Sequence, residues 1–274
     1  MPPPTFGPVP DHLWMKGPQY PKSAGDARFH LEQLQRQMWN AGPAGPRYGH
    51  GSWGYTVLRT VYTPESDALF TKVIDKIERC VYHSTHSERF PGFGPSCQER
   101  CITYAEQNDE ISRRFYLDVI EDKANLEELD GPDHFMALYD YFRRWVVGVG
   151  ESPDDADPFR KNPRLRHFLV IDAESLRSLS EIADEMPPLR CAADYQEKAA
   201  SVRWGGQGWL WLLDATVMPK PELHEDRYRG WCRIGCRLLE HEWFEDLRKS
   251  EEDPYYVERE ERPENSGVYY YTGL

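Results

Sequence analysis

The sequence predicts an α+β fold: a mixed β-sheet of about five to six strands with helices packed on it, in an order compatible with a ferredoxin-like plan. Three observations predict it. Strand-like runs alternate with helix-like runs through the middle of the chain. Two of those runs, FLVI and WLWLL, are apolar without interruption, the mark of strands covered on both faces. Hydrophobic residues make up 39% of the 274 residues and aromatics 13%, which supports a substantial core.

Residues 1–50 read as a Pro/Gly-rich, mostly disordered lead-in with one short helix over 28–39, where Leu31, Leu34 and Met38 share a side. A single domain is expected over 51–249. WGYTVLRTVY, residues 53–62, is β-branched and aromatic and predicts a strand. TPESDALF then opens a helix, because Thr63 can cap it, Pro64 suits its first turn, and Glu65 and Asp67 complement the positive end of its dipole. Leu69, Val73, Ile74, Ile77, Cys80 and Val81 continue it as one stripe of 3.6-residue period.

RRFYLDVIED, residues 113–122, predicts a second strand, and the helix after LDGPD turns Phe135, Leu138, Tyr139, Phe142, Trp145 and Val146 toward the core. An acidic, proline-broken linker follows over 148–164. HFLVIDAESL predicts a strand that becomes helical after Asp172. SVRWGGQGWLWLLDATV predicts a strand, a glycine turn and a strand over 209–213; GWCRIGCRL predicts a last strand and LLEHEWFEDLRK a closing helix. Residues 250–274 read as an acidic, Tyr-rich mobile tail.

Charge narrows the function classes. With 33 basic against 46 acidic residues the formal charge is −13, which repels phosphate backbones and argues against nucleic acid as a partner. The first twenty residues have neither a basic start nor an apolar stretch, so a secretory signal is not expected, and no run approaches the ~18 apolar residues of a membrane span. A cytoplasmic protein, with no membrane partner and six cysteines as free thiols, is the expectation. Oligomeric state is left open.

Two C-x3-C pairs, Cys97/Cys101 and Cys232/Cys236, with His83 and His86, raise the question of metal. Zinc needs four ligands at ~2.0–2.3 Å, and two cysteines four apart on a strand stand ~13 Å from each other. Cys232 and Cys236 follow strand periodicity on the apolar side with Ile234, so they read as small core residues that can neither share a metal nor form a disulfide with each other. Cys80 reads as core by the same argument. Neither a metal nor a cofactor is therefore assigned, and any thiol site is to be sought at Cys97 and Cys101.

A catalytic reading rests on acids at strand ends. Asp172 ends FLVI, Asp214 ends WLWLL, and Glu121 with Asp122 ends the strand before them. Groups at strand ends gather along a rim where ligands bind, and Asp172 and Asp214 converge there if their strands run the same way. Arg59 shares a strand face with Val57 and Val61, and a guanidinium there needs carboxylates or an anion. Asp172, Asp214, Arg59 and Asp122 are thus the candidate acid/base set for a small-molecule ligand or substrate, with Trp209 and Trp211 lining its pocket. Beside it stand structural roles: Asp172 as a helix cap, Asp214 at a turn, Arg59 in an ion pair, and the tryptophans as core. No nucleophile elbow, H-E-x-x-H, phosphate loop or dinucleotide fingerprint occurs.

WGYTVLRTVYTPESDALF, RRFYLDVIED followed by LDG, YFRRWV and HFLVIDAESL together resemble a group of uncharacterised proteins of filamentous fungi, over residues 53–247. The resemblance implies a cytosolic α+β protein, and an accessory role in specialised-metabolite biosynthesis is the expectation it adds. The D-D-x-x-E pattern of arginine-containing cyclodipeptide synthases is not met: Asp154 and Asp155 begin it, but Pro158 stands in the glutamate's place. The competing expectation is a non-catalytic interaction module that uses its acidic surface and the segment ENSGVYYYTGL.

Overall fold

The computed structural model describes residues 3–4, 6–15, 51–87, 105–154, 162–186, 208–219, 230–239, 244 and 270–271. Six strands form one sheet: β1 (Thr56–Arg59), β2 (Asp118–Ile120), β3 (His167–Ile171), β4 (Trp209–Asp214), β5 (Trp231–Gly235) and β6 (Tyr270–Tyr271), in the order β2-β1-β3-β4-β5-β6. The first three are mutually parallel, β4 is antiparallel to both its neighbours, and β5 and β6 run parallel.

Helices cover both faces. After α1 (His12–Met15), the helix α2 (Pro64–Ser87) follows β1, and α3 (Ala105–Arg113) precedes β2. The short α4 (Lys123–Leu126) and the long α5 (Phe135–Gly148) lie between β2 and β3, with α6 (Pro163–Arg166) just before β3 and α7 (Ala173–Ser180) just after it. Val57, Leu169, Ile171, Leu210, Leu212 and Ile234 pack on one face with Val73 and Ile77 of α2 and Leu176 and Leu179 of α7. Leu58, Phe168, Val170, Trp211, Leu213 and Trp231 pack on the other with Phe135, Leu138, Phe142 and Val146 of α5. Every residue of β1 and β3 is buried, as two covered faces require.

The opposite placement of α2 and α5 follows from chain path. The connection from β1 steps outward to β2, and the connection from β2 steps back past β1 to reach β3. Crossovers of one hand that run in opposite directions must use opposite faces. The expected α+β architecture of sheet and packed helices is therefore present, but its plan is not ferredoxin-like, since helices lie on both faces and three strands run parallel.

Local chemistry explains the starts of the two long helices. Thr63 Oγ1 accepts from the Ser66 amide at 3.1 Å while Ser66 Oγ accepts from the Thr63 amide at 2.8 Å, a reciprocal cap that fixes the turn out of β1. At α5 a 3-10 turn, Pro132–His134, leads in after Gly131, whose φ of 86° suits glycine. Chain ends also join the fold. Val9 and Leu13 are buried in the core beside α2, and within the tail Tyr270–Tyr271 supplies the edge strand β6. The expected helix over 28–39, the strand before GGQG, the middle of the acidic linker and most of the closing helix lie outside the described residues.

Two expectations need correction. The strand expected over 113–122 is confined to Asp118–Ile120, because α3 runs to Arg113 and Arg114 turns inward. Its guanidinium is 1% exposed and donates to Glu110, to the Gly51 carbonyl at 3.0 Å and to the Gly7 carbonyl at 2.9 Å. The last strand ends at Gly235, and Cys236 opens a 3-10 turn rather than continuing it.

Candidate functional site

Strand direction decides which acids meet. His167 lies opposite Asp214 and Val170 opposite Trp211, so the end of β4 sits at the start of β3. Asp172, five residues beyond His167, is roughly 16 Å away at the other rim. Asp172 and Asp214 therefore do not converge, because β4 runs antiparallel to β3.

Each of the two has a partner set of its own. Asp172 is 2% exposed and caps α7: Oδ1 accepts from the Ser175 amide at 2.8 Å and hydroxyl at 2.6 Å, and Oδ2 accepts from Trp211 Nε1 at 2.7 Å. Asp214 accepts from the Thr216 amide at 2.7 Å and hydroxyl at 2.6 Å, closing the turn after β4. Its second oxygen stands 3.7 Å from Nε2 of His167, whose pKa burial lowers despite the neighbouring carboxylate.

The tryptophans belong to the core and its margin. Trp211 is fully buried against Phe135 and Trp231 with centroids 5.2 and 5.6 Å away. Trp209 is half-buried, with the Arg233 guanidinium over its ring at 3.9 Å and over Trp211 at 4.7 Å, and Arg233 pairs with Glu174 at 3.1 Å. Both rings sit on β4, two strands from β1.

At the carboxyl ends of β1 and β2 the arrangement differs. The chain leaves β1 for the α2 face and β2 for the α5 face, so side chains from both connections stand at this rim. Arg59 lies on the α2 side. It donates from Nε to the Val61 carbonyl at 2.9 Å and from Nη1 to Glu121 at 2.8 Å, pairs also with Asp67, and lies over the rings of Tyr62 and Phe70. Its charge is thus spent on structural partners, and both carboxylates stand more than half exposed.

Asp122 lies on the α5 side. Its Oδ2 accepts from the Tyr141 hydroxyl at 2.9 Å and from Asn125 Nδ2 at 2.8 Å. Burial, helped by this hydrogen bond to a carboxylate, pushes the Tyr141 phenol up, so it remains a donor. Tyr62 stands beside the pair. Burial pushes its phenol up to about 12, against the opposing pull of Arg59, and its hydroxyl is buried without a hydrogen-bond partner. Lys123 Nζ lies 5.9 Å from its ring. Asp130, in the LDG turn, bridges Thr60 and the Ala173 amide and so ties the loop above β1 to the start of α7.

Of the expected set, the structure brings Arg59, Asp122 and Asp172 to the rim at the carboxyl ends of the parallel strands, with Asp172 buried in its cap, and leaves Asp214 at the opposite rim and Trp209 and Trp211 on β4. Sequence reasoning missed Tyr62 and Tyr141. Tyr62 was visible as the last residue of the strand-like run; Tyr141 sits one residue from the α5 core stripe and gave no signal.

Among the described residues no group of three or more His, Cys, Asp or Glu side chains is placed to hold a metal ion, and no helix is long and apolar enough to cross a membrane. Cys97 and Cys101 lie outside those residues. His86 Nδ1 stands 2.8 Å from the Tyr82 carbonyl and Nε2 stands 2.9 Å from Asp109. Ser112 Oγ is 3.5 Å from the same Nδ1, which already faces a carbonyl acceptor, so this Ser-His-Asp grouping is not arranged for nucleophile activation. No protein-family model matches the chain, and no match is found among curated proteins or solved structures.

Proposed function

We propose that the protein binds a small polar molecule at the rim formed by the carboxyl ends of β1 and β2, with Asp122 and Tyr141 as an acid/base pair and the Tyr62 hydroxyl, uncovered as the ligand enters, as a directing donor. The observation that supports it is the buried, unpartnered Tyr62 hydroxyl beside the Asp122–Tyr141 hydrogen bond. A phenol that burial keeps protonated donates to a ligand acceptor, and the neighbouring carboxylate takes or returns a proton through Tyr141. The resemblance over residues 53–247 adds the setting of fungal specialised metabolism, in which the protein serves as an accessory enzyme.

A second reading is a non-catalytic interaction module. It draws support from Arg59, Asp172 and Asp214, each held by structural partners. Ligand-observed NMR against a library of small polar metabolites separates the two. Under the first reading the protein binds a compound, Asp122→Asn weakens it by about tenfold or more, and Tyr62→Phe weakens it without loss of stability. A protein that binds nothing, or binds with undiminished affinity in both variants, removes the first reading in favour of the second.

A further inference from the structure

Arg143 of α5 and Arg166 at the end of α6 both meet the backbone of Ala215. The Ala215 amide donates to the Arg166 carbonyl at 2.6 Å, which extends the β3–β4 pairing by one step beyond His167 and Asp214. Residues paired in this way share a side of the sheet, and Ala215 packs in the cluster on the α5 face, so Arg166 stands on that side too. Arg143 reaches the same place from the helix, where its Nη1 donates to the Ala215 carbonyl at 2.5 Å.

The two guanidinium groups are engaged differently. Arg143 pairs through Nη1 and Nη2 with both oxygens of Asp154, which follows α5 and whose side chain is more than half exposed. The Arg143 hydrogen bonds hold the Asp154 carboxyl below the ordinary carboxylate range, and the charge of Arg166 adds to the pull. Arg166 itself has Nε and Nη1 buried without a hydrogen-bond partner, although the residue as a whole is only half-buried. Buried guanidinium N–H groups without an acceptor carry a desolvation cost that a bound anion removes.

We propose that Arg143 and Arg166 form an oxyanion site at the rim where β3 begins, which takes a phosphate monoester in place of the Asp154 carboxylate. Charge selects the class. A phosphate monoester carries about −1.5 to −2 charge near pH 7 and complements two arginines, whereas a carboxylate complements one. Its three terminal oxygens accept from both guanidinium groups at once, while the two oxygens of Asp154 are taken by Arg143 alone. On binding, the exposed Asp154 side chain swings out and Arg166 turns Nε and Nη1 toward the anion. Arg143 stays anchored on the Ala215 carbonyl, so half of the site is in place beforehand. The formal charge of −13 limits the ligand to a small phosphate, since a long phosphate backbone is repelled by the rest of the surface. The site stands apart from Tyr62 and Asp122, which lie at the other rim.

The test titrates the full-length chain with inorganic phosphate at an ionic strength held constant with sodium chloride, and follows the arginine Nε–Hε signals by NMR. The expected result is saturable shifts of the Arg143 and Arg166 signals, with acetate binding about tenfold more weakly or worse. Arg166→Gln should weaken phosphate binding by about tenfold or more. Asp154→Asn removes the competing charge at an exposed position and should tighten it by about tenfold. Absence of saturable shifts at these two arginines overturns the proposal, and so does acetate binding as tightly as phosphate. Undiminished affinity in Arg166→Gln, or unchanged or weaker affinity in Asp154→Asn, overturns it as well. If Arg166→Gln does not fold, the acetate comparison and Asp154→Asn decide the matter.

Discussion

Both oxygens of Asp172 are engaged inside the protein, one by Ser175 and the other by the indole of Trp211. Replacing it removes a helix cap, worth about 1 kcal/mol, and leaves a buried indole N–H without its acceptor, worth about 1–3 kcal/mol. Asp172→Ala is therefore expected to lose about 2–4 kcal/mol in urea denaturation, whereas Asp172→Asn, which keeps an acceptor oxygen, should lose less. Equal losses in the two variants would show that charge, and not hydrogen bonding, holds this corner. The capping role was readable from the sequence, because an acid after an apolar strand and before a helical stretch suits a cap. The bond to Trp211 was not readable, since it depends on how β4 registers with β3, and no local pattern specifies that.

Gly54 shows how an element is placed by a single backbone requirement. It precedes β1 with φ of 123°, and a Cβ there would stand 2.3 Å from the Tyr116 carbonyl oxygen. The strand leading into β1 and the segment leading into β2 meet there: the Trp53 amide donates to Arg114 O, and the Tyr116 amide donates to Trp53 O. Gly54→Ala is expected to cost about 3 kcal/mol or more, because neither backbone can yield without breaking that ladder. A thermal midpoint within about 2 °C of the parent would refute the close approach. β1, α2, α5 and β3 were legible because periodicity and caps are local. The extent of β2 was not: Arg113, Arg114 and Phe115 suit a strand as well as Asp118–Ile120 do, but Arg114 is drawn into contacts with Gly7 and Gly51, distant in sequence. The direction of β4 was equally hidden, and with it the separation of Asp172 from Asp214.

Across the whole molecule the sheet has two rims of different chemistry. The rim at the carboxyl ends of β1 and β2 carries the Tyr62–Asp122–Tyr141 group, and the opposite rim carries the buried pair of His167 and Asp214. The gathering of Arg59, Asp122 and Asp172 at one rim was legible because β1, β2 and β3 are parallel; the departure of Asp214 was not, because no local pattern specifies the direction of β4. The opposite rim makes a global property testable. The His167 imidazole is 4% exposed and burial lowers its pKa, so below the ordinary value of ~6.5 the unfolded chain takes up a proton that the folded chain refuses. Proton uptake by the unfolded state lowers folding stability, so this histidine contributes no loss above that value and a growing loss as pH falls from it toward the depressed folded pKa. Urea midpoints measured at descending pH should fall more steeply for the parent than for His167→Gln, which cannot charge. Parallel pH profiles for the two proteins would mean that His167 titrates normally and that the acid sensitivity arises elsewhere among the 46 carboxylates.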